Sequence, residues 1–589
     1  MYARLITLLF IALLNLPATI AGADWNVRDT GAAGDGVTDD TAAFQQALDE
    51  AGAAGGGVVQ VPAGAWCIRG NLRIPGAVTL QGVFRTPPLN FKGPTGDLAG
   101  TVLEAYAGRG SQEGEPFIRL AGHASVLSGL IIRYPEWKQT DVPPLPYPPT
   151  VLGHGVEDVA VLDCLFLNAY EAMHFQGSAR MIIRNVFGYP SWRGLYIDAC
   201  YDISRVENCH FWPFGVHYKP DDPYCKWVNV NGVAFEFART DWQYVTHTFC
   251  FGYGIGYRFS KSKAGSANGS FVGIGADSCR RAVYVEDAQL AGLLITNGEF
   301  VGRWGSTDSV GIEIAEEAGG KVNVSNSAFW GPLDICLWAR SPKAQLAVST
   351  TNFCQWDING TGAPAVRLDA GKAVLQGNIF DDGQLHVAVN PSMGTALLLG
   401  NLGEGGFRVE NHAGARTQLI GNEQAGFTWS AEMKAHYTVK VGMPGDSPYL
   451  RQWYSREAAP EFGEQGTRRW SRGASQFILP TVPGKTYNVS VVLRQPGHAA
   501  APDNGLYLGE DRIASPPEPP GDGPLSGTFV AVGETTTLTL RTKTWRPMEV
   551  EPGSGDVRDL GVAVHSITVV EEGQEGAPRF DANSGEYGK

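Results

Sequence analysis

Short alternations of apolar and polar residues recur along most of this chain. The segment around Val283 and Val285 and the segment around Ile312 each place every second side chain on one face, which is the period of a β-strand. Each is followed by a second short apolar run with a polar residue and a Phe, and the paired runs return at intervals of about 20 to 40 residues. Repeats of this kind predict a parallel β-solenoid in which each coil packs on the next.

One polar residue marks the second run of each coil. We predict that these side chains point inward and form a ladder of hydrogen bonds, because buried polar groups need partners. His247 falls in this column, so we interpret it as a ladder residue and not as a catalyst. The column comprises Asp163, Asn185, Asn208, His247, Asp277, Asn297, Asn326, Asn352, Asn378, Asn401 and Asn422.

The stretch from Val27 to Trp66 opens with four aspartates, Asp29, Asp35, Asp39 and Asp40. Their spacing does not fit a helix-loop-helix calcium site, which needs acids or amides at alternate positions and a later Glu. The residues that follow predict a helix, with Thr38 or Asp39 at its first turn and an apolar face that contains Phe44. The cluster is therefore interpreted as scaffolding.

This stretch also carries a family resemblance. The string DTGAAGDGVTDDTAAFQQALDEA, followed by GGGVVQVPAGAW and IPGAVTLQG, resembles the amino-terminal signature of the pectate lyase superfamily, which includes polygalacturonases and rhamnogalacturonase-like proteins. The resemblance implies an all-β, right-handed parallel β-helix whose amino-terminal helix caps the solenoid. It does not select a reaction, because lyases, hydrolases, epimerases and phage tailspikes share the signature.

The remaining patterns divide the chain into segments. A charged start, a short apolar run and a small-x-small site predict a signal peptide over residues 1–23, and hence a secreted or periplasmic protein. The β-helix is predicted over residues 24–428 and a linker over 429–468. Isolated alternating strands separated by Pro and Gly predict a β-sandwich over 469–572, and the polar end predicts a disordered tail over 573–589.

Composition narrows the classes of partner. The net charge of −14 argues against nucleic acid, and no stretch after the signal peptide is apolar enough to span a membrane. The nine cysteines have no zinc-ligand spacing. Their odd number leaves at least one thiol free or paired between chains. We predict mainly buried thiols, while a disulfide between Cys200 and Cys225 stays open.

The outward positions of the first run in each coil predict a catalytic row. Asp198, Glu236, Arg258 and Glu286 are predicted to stand side by side in consecutive coils, with about 4.8 Å between neighbouring strands. Carboxylates at such separations suit glycoside hydrolysis. We predict substrate binding by the other outward residues and by the loops that enter these strands. These residues are His174, Trp192, Arg193, Tyr196, Trp212, His217, Tyr284, Trp304 and Glu313.

A second catalytic candidate comes from the resemblance to polygalacturonases. Their acids precede the same strand in successive coils, and Asp308 and Asp334 occupy two of those places here. The third coil reads GTGAPAV and lacks the expected His, and no R-I-K follows. These departures argue against a true polygalacturonase.

The sequence thus predicts a carbohydrate-active enzyme, and three functions remain open. The first is a glycoside hydrolase, which needs no cofactor. The second is a polysaccharide lyase in which Arg258 or Arg193 abstracts a proton beside a uronate carboxylate, while Asp198, Glu236 and Glu286 hold Ca²⁺. The third is a polysaccharide-binding protein without catalysis.

Overall fold

A computed structural model describes residues 24–85, 99–303, 305–423, 429–463, 466–516 and 522–587. The predicted signal peptide and Trp304 lie outside the described residues. Strands dominate, and the predicted all-β class, a right-handed parallel β-helix followed by a β-sandwich, is confirmed. Among the described residues, none of the helices is long and apolar enough to cross a membrane. The chain forms two compact units, which are described separately.

The first unit contains residues 24–190 and 214–217, and the predicted helix follows its first two strands. This helix, α1, spans Thr41–Ala53 and buries Phe44, Ala47, Leu48 and Ala51. Parallel pairing stacks the coils of this unit. Its strands are Asp24–Asn26, Asp35–Asp39, Gly57–Gln60, Gly64–Ile68, Leu72–Ile74, Val78–Gln81, Thr101–Ala105, Ile118–Leu120, Val126–Ser128, Ile131–Arg133, Val151–His154, Ala160–Leu167, Glu171–Gln176 and Ile182–Gly188.

The aspartate cluster before α1 serves the backbone. Asp40 is buried and accepts hydrogen bonds from the amides of Ala33 (2.6 Å) and Gly34 (3.2 Å). Asp35 accepts from the amides of Val37 and Thr38 at 2.9 and 2.8 Å. The scaffolding interpretation fits these contacts, although the residue before α1 is Asp40 and it makes no side-chain cap.

The second unit contains residues 191–213 and 218–589, and its first part is a solenoid of parallel strands. One face is a sheet of nine short strands, each paired in parallel with the next. These strands are Arg193–Asp198, Val233–Phe237, Ile255–Phe259, Arg281–Val285, Val310–Ile314, Ile335–Ala339, Val366–Leu368, Val387–Val389 and Val409–Asn411. A helix, α2, spans Pro223–Asn231 in the loop before the second of them, and Asp222 caps it.

The other faces of this solenoid carry two further ladders of parallel strands. One contains Arg205–Glu207, Gln243–Thr246, Gly269–Val272, Leu293–Thr296, Lys321–Ser325, Gln345–Ser349, Gly371–Gln376, Met393–Leu399 and Thr417–Ile420. The other contains His210–Phe211, Phe249–Phe251, Gly275–Asp277, Glu299–Val301, Ala328–Trp330, Asn352–Phe353, Ile379–Phe380 and Leu402–Gly403. The nine cysteines are all free thiols and eight are buried, so no disulfide joins Cys200 to Cys225.

The predicted ladder of polar residues mixes several positions of the coil. Asn378 and Asn401 are fully buried, and Nδ2 of Asn378 donates to Oδ1 of Asn401 at 2.9 Å. Asn401 repeats this contact with Asn422.

In most of the earlier coils the marked residue stands one position sooner, at a corner with left-handed backbone, and His247 (φ 51°) and Asn297 (φ 56°) are exposed there. In two coils the corner is instead Ser278 or Thr350. The inward ladder is therefore wrong for His247 and Asn297, because polar residues such as Asn are also favoured at such corners.

The two kinds of position should respond differently to mutation. Asn378→Ala removes the acceptor of the Thr351 amide and a donor to Val348, so we expect the free energy of unfolding to fall by about 2–3 kcal/mol. Asn297→Gly is the control, because glycine tolerates the same left-handed backbone. Urea denaturation of both variants measures the difference, and equal losses would contradict the assignment.

The carboxy-terminal domain is a β-sandwich of mainly antiparallel strands. Its long strand Thr467–Pro480 pairs with Ala563–Glu571 near one end and with Thr535–Arg541 near the other, so it belongs to both sheets. The core contains Phe477, Val491 and Ile567. The other strands are His436–Lys440, Leu450–Trp453, Glu457–Ala458, Thr486–Arg494, Gly505–Leu508, Asp511–Ala514, Asp522–Val530, Phe580–Asp581 and Glu586–Tyr587. Short helices span Ala431–Ala435 and Pro547–Val550, and 3-10 turns span Gly414–Arg416, Ser447–Tyr449, Pro460–Phe462 and Gly497–Ala499.

The structure corrects two predicted boundaries of this domain. Residues 429–468 were predicted as a linker, but the strand His436–Lys440 pairs with Ala563–Glu571 and buries Tyr437. The tail 573–589 was predicted to be disordered, yet Phe580 is fully buried and packs against Trp429. Residues 429–468 also bury Tyr449, Trp453 and Tyr454. Both segments lack a long alternation of apolar and polar residues, so their strands are not evident from the sequence.

Charged residues are buried where the solenoid meets the sandwich within the second unit. Nε of Arg469 donates to Asp446 at 2.8 Å, and Asp382 lies 3.8 Å from the same guanidinium. Glu404 accepts from the Gly445 amide at 2.8 Å, but its Oε2 is buried without a hydrogen-bond partner. Burial and then the Asp446 carboxylate raise the pKa of Glu404 to about 7 from an ordinary value of 4.5.

This pKa predicts a pH-dependent stability. The folded protein keeps the Glu404 proton where the unfolded chain has lost it, so the stabilisation is complete below pH 4.5 and is lost as the pH rises through about 7. We expect Glu404→Gln to remove about 2 kcal/mol of the decline in unfolding free energy across this window. Urea denaturation at pH 5 and pH 8 measures it, with the exposed Glu432→Gln as control. An unchanged decline in Glu404→Gln would contradict the assignment.

Candidate functional site

The register of the nine-stranded sheet defines one row of outward side chains. Pairing places Tyr196 beside Glu236, Glu236 beside Arg258, and Arg258 beside Tyr284. We call this the outward row, and its members are Tyr196, Glu236, Arg258, Tyr284, Glu313, Trp338 and Arg367. The residues on either side of each member point inward and are buried, as Val283 and Val285 are around Tyr284.

The predicted catalytic row is wrong in register at two of its four residues. Glu236 and Arg258 are neighbours, as predicted. Asp198 lies two positions along its strand from Tyr196, which is the residue that pairs with Glu236. Glu286 likewise lies two positions beyond Tyr284. A slip of two residues keeps each side chain on the predicted face but changes its neighbour in the next coil.

Arginines hold the carboxylates at the centre of the outward row. Glu236 is buried and contacts Nη1 of Arg193 at 3.1 Å and Nη1 of Arg258 at 3.8 Å. Arg258 also donates from Nε to Glu286 at 2.8 Å. Burial opposes the charge of Arg258, but Glu236 and Glu286 outweigh it and raise the pKa of this arginine. A chain of alternating charges, Arg193–Glu236–Arg258–Glu286, results.

Two tyrosines flank this chain. The guanidinium of Arg193 lies 4.1 Å from the ring centre of Tyr196. Burial, followed by the carboxylates of Asp198 and Glu236, raises the pKa of Tyr196. Burial, followed by Glu313 and Glu286, raises the pKa of Tyr284. Both hydroxyls therefore keep their protons at neutral pH.

Asp198 has a structural role in this arrangement. It is buried, and its Oδ1 accepts from the amide of Ala199 (2.8 Å), the amide of Arg239 (3.1 Å) and the hydroxyl of Ser262 (2.7 Å). These contacts use the carboxylate to join the end of its strand to two later segments, so we do not retain Asp198 as a catalytic acid.

A second group of charges surrounds Glu313, which is buried. It contacts Arg281, and it also contacts Arg340 at 3.0 Å. The ring of Trp338 lies 4.8 Å from the guanidinium carbons of both Arg340 and Arg367, which orients these two arginines along the row. Sequence reasoning did not select Arg281 and Arg340, because they lie at the strand ends rather than at the alternating positions.

The second catalytic candidate is also explained by structural contacts. Asp308 is bound by Arg280, with Nε at 2.8 Å. Asp334 is buried and accepts from the Ser309 amide at 2.7 Å and from Asn359 at 2.6 Å. Burial raises the pKa of Asp334. The two acids tie neighbouring loops together and are not placed in the outward row.

The remaining predicted binding residues are scattered. In the first unit, Nδ1 of His174 lies 3.1 Å from Glu171, and the exposed His217 exchanges backbone contacts with the side chain of Gln139. In the second unit, Trp212 is exposed and packs near Phe251, with ring centres 6.4 Å apart. Trp192 lies under Arg193 at 4.4 Å and so belongs to the edge of the site.

The three carboxylates that the lyase alternative assigns to Ca²⁺ already have partners within the protein. Asp198 is committed to backbone amides and a hydroxyl, while Glu236 and Glu286 are paired with arginines. No group of three or more His, Cys, Asp or Glu residues able to hold a metal occurs within the described ranges.

Comparisons with known proteins show that the amino-terminal segment is similar to a described family. A family described as rhamnogalacturonase A/epimerase, pectate lyase-like matches residues 25–115. Mannuronan C5-epimerase AlgE1 of Azotobacter vinelandii is 39% identical over 121 residues, which is 18% of this chain and 8% of that protein. Alginate lyase 7 of the same organism is 53% identical over 48 residues, which is 8% of this chain and 6% of that protein. The chain thus matches only a small part of these relatives.

The solved structures include the A-module of mannuronan C-5 epimerase AlgE4 from Azotobacter vinelandii. That similarity covers 69% of this chain and 100% of the module, at 16% identity and a TM-score of 0.39. The match at residues 25–115 and the solenoid that follows it confirm the resemblance to the pectate lyase-like right-handed β-helix superfamily.

Proposed function

We propose that this protein is an enzyme that binds an acidic, uronate-bearing polysaccharide along the outward row and modifies it by proton transfer. The observation that carries the proposal is the order of charges from the inside outward. The side chains of Glu236 and Glu313 are 8% and 4% exposed, whereas Arg258 and Arg340 are both 34% exposed. Cations therefore stand in front of buried acids and face a substrate.

Arginine suits the carboxylates of such a polymer. Its planar guanidinium offers parallel donors that match the two oxygens of a carboxylate. Arg258 and Arg367 present these donors within the row, Arg340 presents them just beyond the strand that carries Trp338, and successive strands of a sheet are about 4.8 Å apart. An extended acidic chain lying across the coils meets a succession of cationic positions.

The same groups could support proton transfer at the carbon beside the carboxylate. Elimination and epimerisation of a uronate both begin with loss of that proton, and neutralising the carboxylate favours the loss. Arg193 and Arg258 are the neutralising groups in this proposal. Glu286, whose side chain is 27% exposed, is the candidate proton acceptor, and Tyr196 and Tyr284 are the candidate donors.

The relatives support the same class of polymer. The names of the similar Azotobacter proteins refer to mannuronan and alginate, and their activities are epimerisation and lysis. The glycoside hydrolase expected from the sequence has less geometric support, because paired-carboxylate hydrolysis needs one acid free to give a proton. Here Glu236 and Glu286 both contact Arg258.

A panel of acidic and neutral polysaccharides tests the proposal. Purified protein is incubated with each polymer, and three quantities are followed: new reducing ends, ultraviolet absorbance of unsaturated products, and the sugar composition of the intact chain. We expect acidic polymers alone to react, with unsaturation or altered composition. New reducing ends without unsaturation would indicate hydrolysis and would contradict the proposed proton-transfer reaction. Binding of a polymer without any reaction would contradict the proposal that the protein is an enzyme.

A further inference from the structure

A second cleft in this molecule has the composition of a ligand site. It has a volume of about 600 Å³ and lies within the second unit, where the last coils of the solenoid meet the sandwich. Its lining includes Arg408 from the solenoid, Arg451 from the sandwich and three glutamines. None of these residues belongs to the outward row.

The two arginines of this cleft donate their hydrogen bonds to backbone carbonyls. Arg408 donates to the carbonyl of Gly383, and Arg451 donates to the carbonyls of Leu450 (2.7 Å) and Ser447 (3.3 Å). Neither makes an ion pair within 4.0 Å among the residues that the structure describes. Burial, followed by the charge of Arg451, lowers the pKa of Arg408 to about 10, although the carboxylates of Asp382 and Glu404 act in the opposite direction. An anion between the two guanidinium groups would relieve this repulsion.

The acids that line the cleft do not neutralise these arginines. Asp357 is buried and accepts from the amides of Thr361 and Gly362, at 2.6 and 3.0 Å. Glu410 is exposed and lies 3.8 Å from His412. Positive charge that Asp357 and Glu410 do not neutralise therefore remains on the wall of the cleft.

The glutamines supply neutral hydrogen-bonding groups beside this charge. The side-chain amides of Gln384, Gln452 and Gln476 make no hydrogen bond to other described residues, so their donors and acceptors are available. Gln452 has left-handed backbone, with φ 63°, and its carbonyl accepts from Ser475 at 2.7 Å. Strained backbone that is held in place by its surroundings is frequent at binding sites.

We propose that this cleft binds a carboxylate-bearing sugar unit. The carboxylate would lie between Arg408 and Arg451, and the sugar hydroxyls would bind the glutamine amides, which can both donate and accept. The apolar side chains of Leu385 and Ile478 complete the lining. The site uses different residues from the outward row, so it does not depend on the reaction proposed there.

Calorimetric titration with a mannuronate trisaccharide tests this site. We expect two classes of binding site in the unmodified protein. Arg451→Ala should weaken one class by about 10-fold or more, because it removes a charge-assisted contact. Arg258→Ala should affect only the other class. Arg512→Ala, which changes an exposed sandwich arginine outside the cleft, is the matched control, and Gln476→Ala should weaken the same class as Arg451→Ala.

Three results would overturn the assignment. The first is equal binding by the unmodified protein and Arg451→Ala. The second is equal binding of neutral mannotriose, which has no carboxylate. The third is inorganic sulfate binding as tightly as the trisaccharide, which would show a simple anion site. If Arg258→Ala stays fully active while Arg451→Ala loses one class of binding site, the proposed function is wrong and the assignment of this cleft as a sugar-binding site is retained.

Discussion

Arg258→Ala should lower kcat/KM on an acidic polysaccharide by about 100-fold or more, as expected when a group that stabilises developing negative charge is removed. Arg258 contacts both Glu236 and Glu286, so its loss leaves two carboxylates facing the substrate's own carboxylate. Steady-state kinetics on the best polymer of the panel measures the effect. Arg258→Lys should recover little, because an ammonium cannot reproduce the paired contact.

Arg367→Ala is the matched control within the same row. It lies at the far end, beyond Trp338, and pairs with Asp369 at 2.9 Å. We expect it to raise KM with little change in kcat, because it would bind the polymer away from the reacting sugar. Full activity in a correctly folded Arg258→Ala protein would remove the outward row from the mechanism.

Arg469→Met should lower the free energy of unfolding by about 3–5 kcal/mol at neutral pH, since removing one partner leaves uncompensated buried charge. Asp446 is fully buried and holds this arginine through contacts of 2.8 and 3.0 Å, and Asp382 is buried beside them. Urea denaturation at pH 7 and pH 5 measures the loss. Burial raises the pKa of Asp382, so the loss should be smaller at the lower pH.

The exposed pair of Arg541 and Glu510 provides the control for this variant. Arg541→Met removes a contact of 2.9 Å between solvent-exposed groups, and surface ion pairs contribute little to stability. A comparable loss of unfolding free energy in both variants would show that burial does not increase the contribution of the Arg469 ion pairs to stability.

The alternation of apolar and polar residues correctly predicts which side chains of a strand point inward. It does not predict which residue of the adjacent strand each one pairs with. The inward Val283 and Val285 and the outward Tyr284 are as expected. Gly194 and Gly232 each precede an alternating run, and placing these two glycines side by side gives the predicted pairing of Asp198 with Glu236. The structure shows that Gly232 ends the helix Pro223–Asn231, so the true partner of Gly194's coil position lies two residues later. Nothing in the local pattern distinguishes a helix-ending glycine from one that begins a strand.

The asparagine column shows a similar limit. Asn at a left-handed corner and Asn on an inward ladder give the same repeat in the sequence. The ladder residues Asn378 and Asn401 differ from the corner residues in being preceded by a glycine with φ 62°. This glycine occupies the left-handed corner, so the Asn after it lies on the inward face. The charged contacts of Arg281 and Arg340 depend on loop geometry that no periodicity records.

The central claim is that Glu286, which lies beside the outward row and contacts Arg258, removes a proton from the carbon next to a uronate carboxylate. The direct measurement is deuterium incorporation at that carbon when the protein acts on mannuronan in heavy water, followed by nuclear magnetic resonance or mass spectrometry. We expect deuterium in the polymer, or unsaturated ends formed at that carbon, with the unmodified protein and neither with Arg258→Ala. Cleavage of the polymer with no deuterium and no unsaturation would contradict the account.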